Sequence, residues 1–101
     1  MTILLTKHAQ DRMKARTNYS PSTAQQKAEE AYWCGKNPDD FPKELAKYLN
    51  NVLQSSKDEG KGNELRVLGK DVYLFGNGYL ITVFPLPEKI IRKISKPLKR
   101  H

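Results

Sequence analysis

The chain has 101 residues, a formal net charge of +7, 29% charged residues and 38% hydrophobic residues. This length is enough for one domain with a modest core and too short for two. The single cysteine, Cys34, excludes an intramolecular disulfide framework and a cysteine-based zinc finger, and we expect it to be a small buried residue. The positive charge favours a nucleic acid, an anionic membrane surface or an acidic protein as partner, although charge can also serve solubility alone.

The first predicted helix covers residues 6–16, within the segment LLTKHAQDRMKAR, and Thr6 is its expected N-terminal cap. Ala9 and Met13 lie one turn apart and form its inner stripe. Three polar residues at four-residue spacing lie along one side of the helix, beside that stripe: His8, Arg12 and Arg16.

The second predicted helix covers residues 21–34, between Ser20 as the N-terminal cap and Gly35 as the stop, with Pro21 at the first helical position. Its expected buried stripe, which Trp33 adjoins, consists of Ala24, Ala28, Ala31 and Tyr32.

A third predicted helix covers residues 40–54, beginning at Asp39-Asp40 with Pro42 inside its first turn. Its apolar residues recur at helical spacing: Phe41, Leu45, Tyr48, Leu49 and Val52. The following residues, 55–63, contain two glycines and no apolar side chain, which predicts a mobile loop.

Residues 64–84 predict three antiparallel strands, because β-rich runs alternate with turn residues. Gly69-Lys70 suits a type II′ turn and Asn77-Gly78 suits a type I′ turn, and the two turns together fix the register. One face is then wholly apolar, with Val67 facing Val72 and Val83, and Leu65 facing Leu74 and Ile81. The other face carries a polar cross-strand row of Arg66, Tyr73 and Thr82, and part of it is expected to be covered, since it also holds Leu68, Phe75, Leu80 and Phe84.

The predicted order is helices followed by an antiparallel meander of three strands or a slightly larger sheet. This order predicts an α+β fold in one domain, residues 1–101. The tail, residues 88–101, predicts a short basic amphipathic helix up to Pro97. No apolar stretch approaches membrane-spanning length and no signal peptide is recognisable, so we expect a soluble cytoplasmic protein with no membrane partner. The chain has two histidines, and we expect neither a metal nor a cofactor.

The polar row and His8 each have two interpretations. A solvated sheet face is normally polar, and Arg, Tyr and Thr form strands well, so the row can be purely structural. His8 can be a packed helix residue, or it can move a proton at neutral pH while Arg12 holds a phosphate.

Two segments resemble a known superfamily. TKHAQDRMKAR is similar to an H-A-x-x-R-M-x-x-R opening, and VYLFGNGYLITVFP to the ending, of small phage and bacterial domains of the barnase/RelE-like (BECR-fold) ribonuclease toxins. The resemblance covers about residues 3–16 and 64–85 and leaves the middle helices unmatched. Many such domains have no assigned function. The set of residues that RelE carries on its sheet is matched only in part here, by Arg66 and Tyr73.

The resemblance implies a metal-independent ribonuclease that cleaves RNA by attack of the ribose 2′-hydroxyl on its own phosphate. The implied site lies between the first helix and the polar sheet face and comprises His8, Arg12, Arg66, Tyr73 and Thr82. His8 would be the acid or base, the two arginines and Thr82 would stabilise the phosphate, and Tyr73 would position a ribose or stack on a base. The second proton carrier stays open between Tyr73 and a lysine such as Lys7. The implied RNA-binding residues are Lys7, Arg16, Lys70, Lys89, Arg92, Lys93 and Lys96.

The alternative is a binding module without catalysis, from a phage or plasmid, which docks on nucleic acid or on an acidic protein. A toxin would also have an acidic antitoxin or immunity protein as partner, and it could act in its own cell or be delivered to a target cell within a larger secreted effector. The two hypotheses make different predictions for His8: a binding module should tolerate His8→Gln, and a nuclease should not.

Overall fold

The computed structural model describes residues 3–17 and 20–89. In chain order its elements are β1 (Leu4–Leu5), α1 (Lys7–Thr17), α2 (Pro21–Cys34), a 3₁₀ turn (Pro38–Asp40), α3 (Lys43–Asp58), β2 (Glu64–Leu68), β3 (Asp71–Gly76) and β4 (Tyr79–Pro85). The strands form one sheet in the order β1-β4-β3-β2, in which β1 runs parallel to β4 and the other neighbours are antiparallel. The predicted α+β class is confirmed, with one strand more than the meander.

The first two helices begin at the predicted caps. Thr6 Oγ1 accepts a hydrogen bond from the Ala9 amide at 3.1 Å, and Ser20 Oγ accepts one from the Thr23 amide at 3.3 Å. Gly35 ends α2 and lies close to the sheet: a Cβ there would be 3.0 Å from the Arg66 Cβ and closer still to the carbonyl oxygen of Ala31. Glycine therefore lets the end of α2 approach β2.

The third helix begins later and ends later than predicted. Phe41 precedes a proline and is extended (φ −111°, ψ 163°), so the 3₁₀ turn stops before it and α3 starts at Lys43 with Pro42 as its cap. At the other end, the predicted loop 55–63 is wrong in its first four residues, because α3 continues to Asp58. No helix breaker occurs before Gly60, which takes the left-handed conformation (φ +70°) that terminates α3.

Helices cover both faces of the sheet, whereas the sequence predicted one core face and a second face that is covered only in part. The α1/α2 face packs Tyr73, Phe75, Leu80 and Val83 against the two N-terminal helices. The α3 face packs Leu65, Val67, Val72 and Leu74 against Leu45 and Leu49 of α3. The molecule is thus a sandwich of helices, sheet and helix, in which Val72 to Gly76 of the central strand β3 are all buried.

The predicted register is right for one hairpin and wrong for part of the other. Between β2 and β3, Val67 lies opposite Val72 and Arg66 opposite Tyr73, as the type II′ turn requires, and Gly69 has a φ of +64°. The second turn also has positive φ at Asn77 (+54°) and Gly78 (+82°). Beyond it, however, the register shifts by one residue between Phe75 and Leu74.

This shift is a β-bulge at Ile81. Phe75 lies opposite Leu80, whereas its neighbour Leu74 lies opposite Thr82, so Ile81 is the extra residue of β4. The bulge moves Thr82 to the α3 face and Val83 to the α1/α2 face, opposite the faces that were predicted for them. Thr82 therefore does not complete a cross-strand row with Arg66 and Tyr73.

Candidate nucleic-acid interface

Helix α1 presents a basic surface because it buries little of its circumference. Among its described side chains, only Ala9 (0% exposed) and Met13 (1%) are buried against the sheet. The remaining described side chains are exposed, and they are Lys7, His8, Gln10, Asp11, Arg12, Lys14 and Ala15. With Arg16, whose side chain lies outside the described ones, the helix sequence has four cations against one carboxylate. We call the exposed side of α1 the α1 basic face.

The cations of this face are available to a ligand. Among the described side chains, Lys7, Arg12 and Lys14 of α1 take part in no ion pair. The amides of Lys7 and His8 likewise have no hydrogen-bond acceptor among the described residues, since Thr6 takes the amide of Ala9. The positive end of the helix dipole therefore adds to the side-chain charges at Lys7 and His8.

The bulge in β4 fixes the start of α1. Thr6 Oγ1 lies 3.2 Å from the carbonyl oxygen of Leu80 and 3.1 Å from that of Ile81, and the Thr6 amide donates to Leu80 O at 3.1 Å. Successive carbonyls of a regular strand point in opposite directions, so one hydroxyl reaches both only because the strand is bulged there. Thr6 thus connects the N-terminus of α1 to the sheet.

Arg66 lies away from α1, at the end of α2 on the edge strand β2. Its guanidinium donates to Glu64 Oε2 at 3.0 Å and to the backbone oxygen of Leu65 at 2.9 Å, and it lies 5.7 Å from the centre of the Tyr32 ring. The charge is therefore balanced by Glu64. The contact with Leu65 O also satisfies a carbonyl on the open side of the strand, which is a structural role.

The five predicted catalytic residues do not form one site. Tyr73 is 3% exposed within the core under α1 and α2, so its phenol is not at a solvated surface, and Thr82 lies on the α3 face. No hydrogen bond or ion pair of the described residues joins His8 or Arg12 to Arg66 or Thr82. Only His8 and Arg12, one turn apart and both exposed, remain as predicted neighbours.

The other predicted RNA-binding residues fall into two groups. Lys70 and Lys89 are exposed, and the backbone oxygen of Lys70 accepts the amide of Leu86, which places the end of β4 beside the β2–β3 turn. Arg92, Lys93 and Lys96 lie outside the described residues. The sequence of 90–101 contains five of the 18 basic residues and none of the 11 acidic ones, so residues 1–89 carry only +2 of the net +7.

Sequence reasoning misplaced two residues at the end of α2. Trp33 was expected beside the buried stripe and is 63% exposed. It follows Ala24 by nine positions, which at 100° per residue is half a turn away, so helical geometry already places it opposite the buried side. Cys34 was expected to be buried, and it is exposed as the last residue of α2.

The rest of the described surface includes a shallow groove and no metal site. A shallow groove of about 190 Å³ lies between the end of α3 and the β3–β4 turn, and it is lined by Lys57, Gly60, Lys61, Gly62, Asn63, Gly76 and Asn77. Within residues 3–17 and 20–89, no three His, Cys, Asp or Glu side chains are grouped so as to hold a metal ion. No helix in these ranges has the length and apolar character needed to cross a bilayer.

Comparison of the chain with protein-family models, curated proteins and solved structures gives no match.

Proposed function

We propose that the protein binds RNA and that the α1 basic face contacts the phosphate backbone. The observation that carries this proposal is the composition of α1, with four cations and one carboxylate, together with the exposure of Lys7, Arg12 and Lys14. These three cations have no ion-pair partner among the described side chains. Binding to phosphates releases condensed counterions, so such a cluster of cations gives affinity without base recognition.

The choice of RNA follows the resemblance of the α1 and β4 segments to ribonuclease toxins. Side chains cannot read the deep, narrow major groove of an A-form duplex, so the favoured ligand is single-stranded RNA or an unpaired loop. An acidic protein partner would use the same cations, and it is the alternative outcome of the binding experiment below.

A second candidate function, RNA cleavage, rests on His8. Its imidazole is exposed, has no hydrogen-bond partner among the described residues and lies one turn from Arg12. In that reaction His8 takes the proton of a ribose 2′-hydroxyl, whose oxygen bonds to the adjacent phosphorus, and the 5′-oxygen of the next nucleotide leaves with a proton from a second group. The burial of Tyr73 removes it from that second role, which leaves Lys7, the neighbour of His8.

The binding proposal is tested by titrating a fluorescent single-stranded RNA at several salt concentrations. Affinity should fall steeply with salt, and Arg12→Ala or Lys14→Ala should each lower the slope of log K against log salt by about 0.7, the value for one lost contact with a single strand. Lys47→Ala is the matched control, because Lys47 is an exposed lysine of α3, on the opposite side of the sheet. Equal effects of all three substitutions, or affinity independent of salt, would contradict an interface on α1.

Cleavage is tested in the same samples by following RNA length. His8→Gln should leave the melting temperature and affinity close to wild type, since His8 is exposed, and it should lower turnover about 10²-fold or more if His8 is the general base. RNA that stays intact with the wild-type protein under conditions where it is bound would leave binding as the sole function.

A further inference from the structure

Trp33 places the largest exposed apolar side chain of the described residues at the end of α2. Its exposed fraction of 63% exceeds those of Leu4 (49%) and Tyr79 (42%), and it is the only tryptophan of the chain. A single exposed ring needs no explanation by itself. The groups around Trp33 are what distinguish it.

The indole is held in place by a series of aromatic contacts that begins in the core. Trp33 packs edge-to-face on Tyr32 with ring centres 5.0 Å apart, and Tyr32 packs edge-to-face on Phe75 at 5.2 Å. Phe75 is 1% exposed and lies nearly parallel to Tyr73. A ring supported in this way loses little side-chain entropy when a ligand stacks on it.

Polar groups surround Tyr32, the ring on which Trp33 packs. The Tyr32 hydroxyl donates to Glu64 at 3.3 Å, Arg66 donates to Glu64 at 3.0 Å, and the Arg66 guanidinium lies 5.7 Å from the centre of the Tyr32 ring. The side chains of Arg66 and Glu64 are 22% and 39% exposed. A guanidinium carries more N–H donors than these contacts use, and a carboxylate accepts more than two hydrogen bonds. The exposed indole therefore packs on a ring that is itself in contact with partly exposed hydrogen-bond donors and acceptors.

We propose that Trp33 is a base-stacking platform, and that an unpaired base of bound RNA lies on its ring with Arg66 and Glu64 at the edge of the base. This inference rests on the proposed RNA binding and names a subsite for it. Each base presents donors and acceptors on its edges and a π-face for stacking, so the subsite needs no particular sequence. Because α1 and α2 cover the same face of the sheet, a single strand can pass from the α1 basic face to Trp33.

The arrangement favours a nucleotide over a protein segment. A protein hot spot around a tryptophan is normally a desolvated apolar pocket. Here the ring on which Trp33 packs contacts a partly exposed ion pair, and the most basic helix covers the same sheet face.

The fluorescence of Trp33 tests the stacking directly, because no other tryptophan contributes to the emission. Two probes of about 12 nucleotides, within the usual range of single-strand sites, are compared: a single-stranded RNA and an abasic oligomer of the same backbone charge. Both should bind with salt dependence, and only the base-bearing strand should quench the emission. This measurement uses the wild-type protein and does not depend on the folding of a variant.

Substitutions of Trp33 provide a second test of the stacking. Trp33→Ala should weaken binding of the RNA roughly 5- to 150-fold, the range that corresponds to losing one stacked base, and should leave binding of the abasic oligomer unchanged. Trp33→Tyr keeps an aromatic ring and should restore most of the affinity. Trp33→Ala should also preserve the slope of log K against log salt, whereas Lys14→Ala lowers that slope and preserves the quenching.

The outcomes distinguish a failure of base stacking on Trp33 from a failure of RNA binding itself. RNA that binds with salt dependence, but neither quenches Trp33 nor distinguishes Trp33→Ala from wild type, overturns the stacking role and points to a protein partner for the ring. If neither oligomer binds, the proposed function fails and the stacking platform fails with it.

Discussion

Thr6 connects three parts of the fold through one hydroxyl group. It caps α1 by accepting the amide of Ala9, and it lies within hydrogen-bond distance of two carbonyl oxygens at the bulge of β4. Thr6→Val keeps the shape and removes every one of these contacts, so we expect a loss of about 1–2 kcal/mol in the free energy of unfolding. Urea denaturation measures this loss, with Thr6→Ser as the control that retains the hydroxyl; equal midpoints for Thr6→Val and wild type would show that the contacts contribute nothing.

Residue by residue, the sequence predicts caps and exposed polar residues better than it predicts a site. The capping residues Thr6 and Ser20 were predicted because capping depends on a few adjacent positions. A site depends on which elements come together in space. Arg66 and Glu64 are two positions apart in β2, so strand alternation already places them on one face. No local pattern indicates that Tyr32 of α2 lies beside them.

The end of α3 shows how a single glycine sets the length of an element. Gly60 has a φ of +70°, the Gly60 amide donates to Lys57 O at 3.0 Å, and the Lys61 amide donates to Ser56 O at 2.9 Å, which together form a Schellman motif. Gly60→Ala has free space for its Cβ but must adopt the left-handed conformation, so we expect it to cost about 1–2 kcal/mol in stability. Thermal melting measures the cost, and Gly60→Asn should lose less, because asparagine tolerates this conformation; equal losses for the two variants would contradict the backbone explanation.

The sheet was predictable in its turns and unpredictable in its bulge. The types of both turns follow from Gly69 and from Asn77-Gly78, and the β2–β3 register follows from them. The bulge at Ile81 lies against Thr6, which is 75 residues away in sequence, and no residue pattern within the hairpin indicates it. One local signal of a doubly covered sheet was present: β3 reads VYLF between turn residues, and a continuous apolar run of that kind is typical of a strand buried on both faces.

At the scale of the whole molecule, positive charge is concentrated towards the C-terminal end of the chain. The described sandwich of helices, sheet and helix belongs to a part of the chain, residues 1–89, that carries +2, and residues 90–101 carry +5. Within the first part the acidic residues offset the lysines of α2 and α3, and α1 remains basic. Affinity for a polyanion should therefore come from α1 and from the C-terminal segment.

Deleting residues 96–101 tests the contribution of this segment, because it removes three cations, Lys96, Lys99 and Arg100. We expect the melting temperature to stay near that of the full chain, since terminal residues with one apolar side chain, Leu98, add little core. RNA affinity should fall, and the slope of log K against log salt should decrease by up to about 2, because each lost phosphate contact accounts for about 0.7 with a single strand. Replacing the three cations by glutamine in the full chain separates charge from chain length, and it should reproduce the loss of affinity. A truncated protein that no longer melts cooperatively, while the glutamine variant does, would instead show that the segment stabilises the fold.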